Sequence, residues 1–154
     1  MNIDKLKKFL MYANTKGYSE IGDKIAIGTD GSKTILIKNE DWALNDNFFG
    51  GEPYGGREVI SYKGKPVWIM VYYGSVDESI DPVSIYPFLR KAISMQPDEL
   101  PVRGPNNFTD GDKVYENKWE GNLERFSGSE KILINGKEIY KASYIGGLVD
   151  VRND

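Results

Sequence analysis

The side chains available for chemistry in this 154-residue chain are carboxylates, lysines, arginines, hydroxyls and tyrosines, because the chain contains no histidine and no cysteine. These two absences exclude a disulfide framework, a thiolate nucleophile, a Cys or His zinc site and a Ser-His-Asp triad. Any catalysis would therefore have to use the remaining groups.

Carboxylates form two groups along the chain. The first group is Asp41, Asp46 and Glu52, and the second is Glu116, Glu120 and Glu124. Paired carboxylates can hydrolyse glycosides or bind a divalent cation. A solvated face is the alternative interpretation, because carboxylates spread along strands need not converge. We therefore assign no catalytic residue, no metal site and no cofactor from the sequence.

Two arginines beside loops are candidates for binding an anionic ligand. Arg57 follows residues 50–56, a segment with four glycines and one proline, and Arg103 lies in a second loop, residues 97–113. The planar guanidinium suits bidentate contacts with carboxylate or phosphate. A salt bridge at the rim of the fold is the competing interpretation for each arginine.

Four aromatic residues complete the candidate ligand-binding set. Trp68, Tyr72, Tyr140 and Tyr144 fall on equivalent sides of two predicted hairpins. If helices cover only the other side of the sheet, these residues line a concave ligand pocket or a dimer interface. The alternative is that they belong to the core.

Two helices and several antiparallel strands must position these side chains. Apolar residues at spacings of three and four predict one helix from near Asn2 to Gly17 and a second from near Ser84 to Pro97. Strands are predicted at residues 24–27, 34–37, 41–49, 58–62, 65–74, 114–119, 122–126, 131–134 and 137–145.

Two of the predicted hairpins have clear turn signals, Lys63-Gly64 and Asn135-Gly136. A two-residue turn in a regular hairpin pairs Ile60 with Val67 and Ile132 with Ile139. That register places Trp68 and Tyr72 on the opposite face from Ile60. It also places Tyr140 and Tyr144 on the opposite face from Ile132.

The two halves of the chain repeat each other at an offset of 72 residues. Glu58, Gly64 and Trp68 match Glu130, Gly136 and Tyr140, and Tyr72 with Gly74 matches Tyr144 with Gly146. Each half therefore reads as a helix followed by an antiparallel meander. We predict one domain over residues 1–154, with pseudo-repeats at about 1–80 and 81–154. Chance similarity between two hairpins is the alternative.

The predicted fold is α+β. Two tandem helix-plus-meander halves, an internal duplication, form one sheet-based domain with helices on one face. A formal net charge of −3 and a pI near 5.1 disfavour nucleic-acid binding through bulk electrostatics. The N-terminus lacks the apolar core of a signal peptide, and no stretch approaches 18 apolar residues. We expect a cytoplasmic protein that binds neither nucleic acid nor a membrane.

Several motifs resemble an uncharacterised bacterial family known only as a domain of unknown function. They lie at residues 62–68, 72–74, 103–105, 119–128 and 144–148. In some members of that family the domain follows a helix-turn-helix of the Cro/repressor type. The resemblance thus implies a regulatory or sensing role and assigns no catalytic residue.

These observations favour a non-catalytic domain that binds a small ligand or a protein partner between its two halves. An enzyme using carboxylate, Tyr or Arg groups is the first alternative, and it requires an acid and a second acid or an arginine in one cleft. A homodimeric interaction protein, using a strand edge or the aromatic face, is the second.

Overall fold

The computed structural model describes residues 1–19 and 25–152. In this part of the chain there are two α-helices, one short 3-10 helix and nine strands. The elements are α1 (Ile3–Ser19), β1 (Ala26–Ile27), β2 (Lys33–Asn39), β3 (Trp42–Gly50), β4 (Tyr54–Tyr62), β5 (Lys65–Val76), the 3-10 helix (Pro82–Ser84), α2 (Tyr86–Ser94), β6 (Asn107–Asp110), β7 (Lys113–Asn122), β8 (Arg125–Ile134) and β9 (Lys137–Leu148). Lys24, the first residue of the first predicted strand, lies outside the described residues.

All nine strands form one antiparallel sheet, in the order β1-β2-β3-β4-β5-β9-β8-β7-β6. Each half contributes a meander, and the last strands of the two meanders, β5 and β9, pair at the centre. Tyr72 pairs there with Tyr144, and the register runs symmetrically outward to the pairs of Trp68 with Leu148 and Val76 with Tyr140. The fold is α+β, as predicted, with strands as the larger part.

Both helices pack on the same face of the sheet, each over its own half. Apolar residues of α1, including Leu6 and Leu10, pack in one core cluster with Ile60 and Trp68 of the first hairpin. Those of α2 pack in a second cluster with residues of the second hairpin. None of the helices among the described residues is both long and apolar enough to cross a membrane.

Several element boundaries differ from the predicted ones. The segment predicted as one strand at 122–126 contains the turn between β7 and β8, and residues 125–126 and 131–134 lie in one strand, β8. The loop predicted at 97–113 contains the short strand β6. The 3-10 helix Pro82–Ser84, capped by Asp81, precedes α2. Because this turn intervenes, α2 begins at Tyr86 rather than near Ser84.

Both central hairpins contain a β-bulge, so the predicted register is wrong by one residue. Ile60 pairs with Trp68 instead of Val67. Ile132 likewise pairs with Tyr140 instead of Ile139. Because successive side chains point to opposite faces, a shift of one residue moves Trp68 and Tyr140 to the face that carries the two isoleucines.

Glycines opposite two central tyrosines allow the tyrosine rings to lie against the neighbouring strand. Gly56 pairs with Tyr72 across β4–β5, and Gly128 pairs with Tyr144 across β8–β9. A Cβ atom at Gly128 would overlap the ring and hydroxyl of Tyr144. The glycine therefore sets the position of the Tyr144 hydroxyl.

We expect Gly128→Ala to lower the free energy of unfolding by about 1–3 kcal/mol, because the added methyl group overpacks the site. Gly51→Ala is the matched control, since a Cβ there meets no atom within 4 Å. It should change the free energy of unfolding by less than about 0.5 kcal/mol. Urea denaturation measures both, and equal values for the two variants would contradict this packing.

Candidate functional site

The four aromatic candidates are buried beneath the helices. Trp68, Tyr72, Tyr140 and Tyr144 all belong to the two core clusters. The alternative interpretation, that they belong to the core, is therefore the one that the structure shows, because the helices cover the face that carries them. The hydroxyls of the three tyrosines nevertheless take part in polar contacts.

The two arginines lie on opposite faces of the sheet. Arg57 is exposed on the face without helices, where it pairs with Val71 across β4–β5. Val71, Tyr73 and Ile145 are exposed apolar residues of that same face. Arg103 is buried on the helix-covered face, so the structure does not bring the two arginines together.

Arg103 belongs to a polar cluster at the centre of the helix-covered face. Its members come from β3, β4, β5, β7, β8, β9 and the loop that follows α2. They are Asp46, Tyr54, Glu58, Tyr72, Arg103, Tyr115, Asn117, Glu130, Tyr140 and Tyr144.

Glu130 is the best-satisfied member of the polar cluster. It is only 2% exposed and accepts hydrogen bonds from two groups of Arg103, Nε at 3.2 Å and Nη2. The Tyr115 hydroxyl donates to it at 2.5 Å and the Tyr140 hydroxyl at 2.9 Å. Four donors match the lone-pair capacity of a carboxylate. This arrangement is typical of a structural buried ion pair.

The negative charge of Glu130 stabilises the positive charge of Arg103. Burial lowers the pKa of the Arg103 guanidinium, but the Glu130 carboxylate, together with the nearby Tyr54 and Tyr140, raises that pKa well above its ordinary value. Arg103 is therefore a fixed cation whose hydrogen bonds are directed at Glu130.

The tyrosines of the polar cluster act as hydrogen-bond donors. Because the Tyr140 proton points to Glu130, the 2.5 Å contact between Tyr54 and Tyr140 has Tyr54 as its donor. The Tyr144 hydroxyl donates to Asn117 Oδ1 at 2.8 Å. Burial raises the pKa of Tyr144 to about 12 and raises that of Tyr140 well above its ordinary value. These phenols stay protonated at neutral pH.

Glu58 occupies the position in the first half that Glu130 occupies in the second, at the 72-residue offset. It is 8% exposed, and its Oε2 atom is buried without a hydrogen-bond partner in the protein. Burial raises its pKa to about 8, repulsion by Asp46 adds to the shift, and the positive charge of Arg103 opposes it. Glu58 is therefore mostly protonated at neutral pH.

Asp46 lies directly opposite Glu58 across β3–β4 and reaches towards the surface. It is half-buried, as are its neighbours on this face, Phe48 and Tyr54. The Tyr72 hydroxyl donates to Asp46 Oδ1 at 2.6 Å. Burial raises the pKa of Asp46, against the effect of that hydrogen bond. The polar cluster thus approaches solvent at Asp46.

Of the carboxylates named in the sequence analysis, Asp46 belongs to the polar cluster and the others lie outside it. Asp41 is exposed and lies 3.8 Å from the ammonium of Lys63, and Glu116 lies 3.2 Å from that of Lys131. The described residues contain no group of three or more acidic side chains suited to a metal ion. A ligand at the polar cluster could form hydrogen bonds with two acidic side chains, Asp46 and Glu58.

The sequence analysis missed Glu58, Glu130, Tyr54, Tyr115 and Asn117 as site residues. One signal could have identified the first two, because the repeat aligns Glu58 with Glu130. In both strands a buried isoleucine follows two residues after the glutamate, at Ile60 and Ile132. Since alternate residues of a strand point to the same face, both glutamates are expected to point towards the core.

The comparisons with known proteins give one match. The model of a family described as "Domain of unknown function (DUF5680)" matches residues 46–149. This range contains every member of the polar cluster. No curated protein and no solved structure matches the chain.

Proposed function

We propose a binding function for this chain, which belongs to the family described as "Domain of unknown function (DUF5680)". In this proposal the domain is non-catalytic and holds a small molecule between its two halves, at the polar cluster. One observation carries it: the Oε2 atom of Glu58 is buried without a hydrogen-bond partner in the protein.

The contrast between the two equivalent glutamates supports a ligand at Glu58. A buried polar atom without a partner costs on the order of 1–3 kcal/mol of stability, and more when it is charged. Glu130 avoids this cost through its four donors, whereas none of the described residues donates a hydrogen bond to Glu58 Oε2. A ligand that donates to Glu58 would remove the cost.

The origin of the polar cluster in both halves supports a site between them. Asp46 and Glu58 come from the first half, and Arg103 and Glu130 from the second. We interpret the halves as an internal duplication. The supporting facts are the symmetric register about the Tyr72–Tyr144 pair and the bulges at equivalent positions of the two hairpins.

A ligand screen on the variant Glu58→Gln tests the proposed site. Saturation-transfer NMR with a library of small cations, anions and neutral polar compounds identifies those that bind the wild-type protein. We expect Glu58→Gln to weaken the binding of such compounds by at least about tenfold, because glutamine replaces an accepting oxygen with a donor and an unsatisfied buried polar group costs roughly 1–3 kcal/mol.

Glu116→Gln is the matched control, because Glu116 lies on the opposite face of the sheet beside Lys131. It should leave the binding of every compound unchanged. If no compound in the library distinguishes the wild-type protein from Glu58→Gln, the proposed binding function at this site is wrong.

A further inference from the structure

The charges around Glu58 are unbalanced. Asp46 and Glu58 face each other across neighbouring strands, an arrangement that is destabilising when both side chains are charged. The nearest cation, Arg103, directs its hydrogen bonds to Glu130 instead. Among the described residues, neither Asp46 nor Glu58 forms an ion pair within 4 Å. A bound cation would give both carboxyl groups an ion-pair partner.

We propose that the ligand of this domain is a small organic cation, whose ammonium or guanidinium nitrogen donates hydrogen bonds to Glu58 Oε2 and to Asp46. This inference rests on the proposed binding function and names the chemical class of its ligand. The geometry behind it is a buried, unpartnered carboxyl oxygen directly opposite a second carboxylate that approaches solvent.

Three tyrosine rings lie in contact beside this acidic pair. The Tyr54 ring stands 6.0 Å from the Tyr86 ring and 6.0 Å from the Tyr72 ring, measured between centroids. The Tyr72 hydroxyl donates to Asp46. Since the faces of aromatic rings attract cations, rings beside the two carboxyl groups suit a positively charged ligand better than an anion.

Other ligand classes fit less well. An anion would meet two acidic side chains, and Arg103 is already paired with Glu130. A metal ion needs more oxygen ligands than the pair offers, since six or more are usual for Ca²⁺ and Mg²⁺. A neutral hydrogen-bond donor would satisfy Glu58 without balancing the charge of Asp46. It is the alternative that the experiment must separate.

Binding of a cation is expected to release the proton of Glu58. The groups that face Glu58 are Asp46 on β3, Tyr72 on β5 and Arg103 in the loop after α2. With its pKa at about 8, free Glu58 holds a proton at neutral pH. When the cation binds, the carboxyl O–H bond breaks, its electron pair stays on Glu58, and the proton passes to solvent. One cation is thus exchanged for one proton.

Calorimetry with methylguanidinium and its neutral isostere methylurea tests this exchange. Methylguanidinium keeps its charge throughout the working pH range, so any proton released comes from the protein. At about pH 6.5, titrations in phosphate and in MES, whose heats of ionisation differ and which add no primary ammonium ion, should give about one proton released per cation bound. The affinity should rise roughly tenfold per pH unit below pH 8. Methylurea should bind at least about tenfold more weakly.

Two variants make the outcome decisive. Glu58→Gln should release no proton, and Asp46→Asn should weaken methylguanidinium binding while leaving methylurea unaffected. If methylurea binds as tightly as methylguanidinium and no proton is released, the cation proposal is overturned while the binding function stands. If methylguanidinium binds wild-type protein and Glu58→Gln equally, both are overturned.

Discussion

Arg103→Met is expected to lower the free energy of unfolding by about 3–5 kcal/mol, the cost of breaking one side of a buried ion pair. Arg103 is 6% exposed, and Glu130, which it pairs with, is 2% exposed. Methionine fills most of the arginine volume but leaves Glu130 as a buried charge held only by Tyr115 and Tyr140. Urea denaturation at neutral pH measures the loss.

Two comparison variants isolate the cause of this loss. Arg57→Met removes an arginine from the exposed face and should change the free energy of unfolding by less than about 0.5 kcal/mol. In the double variant Arg103→Met/Glu130→Gln the remaining partner is neutral. We therefore expect it to be more stable than Arg103→Met alone by about 1–3 kcal/mol. Additive effects of the two substitutions would show that the ion pair is not the cause.

The helices and turns could be predicted because their signals are local. Leu6, Phe9 and Leu10 on one helical face, and Asn135-Gly136 at a hairpin turn, depend only on residues close in sequence. The bulges are different. Ile60 pairs with Trp68 because one extra residue is inserted in β5, and no composition signal marks that residue. In each hairpin one inserted residue was enough to put an isoleucine and an aromatic residue, Ile60 with Trp68 and Ile132 with Tyr140, on the same face.

The polar cluster could not be predicted for a different reason. Arg103 meets Glu130 from a loop 27 residues away, and Asp46 meets Glu58 only because β3 and β4 pair in one register. Such convergence depends on non-local pairing. The sequence repeat did indicate part of the cluster, because it aligns Glu58 with Glu130 at an offset of 72 residues. Tyr72 and Tyr144, which pair at the centre of the sheet, are separated by the same offset.

Glu58 and Glu130 occupy corresponding strand positions but differ in their hydrogen-bond partners. Glu130 is saturated by Arg103 and two tyrosines, and its carboxylate locks the second half to the loop after α2. Glu58 has the same place in its own meander and no such loop arginine. Glu130, which stabilises the second half, thus corresponds to Glu58, whose Oε2 atom has no hydrogen-bond partner in the protein. We place the ligand at Glu58 because of this difference.

The unsatisfied acid should make the stability of the protein fall as pH rises. The pKa of Glu58 is about 8 in the folded protein and near 4.5, the ordinary value, when unfolded. The folded state therefore binds more protons between these values, so the contribution is fully present below pH 4.5 and lost as pH rises through 8. The loss is on the order of 3–5 kcal/mol at about 1.4 kcal/mol per pKa unit. Asp46, whose pKa is also raised by burial, acts in the same direction.

Glu58→Gln should remove most of this slope, because glutamine keeps the shape of the protonated carboxyl group and cannot ionise. Urea denaturation between about pH 5 and pH 9 should show the variant close to wild type at the acidic end and several kcal/mol more stable at the alkaline end. Glu116→Gln, on the opposite face, should follow the wild-type curve throughout. A slope that persists in Glu58→Gln would assign the pH dependence to another group and leave Glu58 ionised in the free protein.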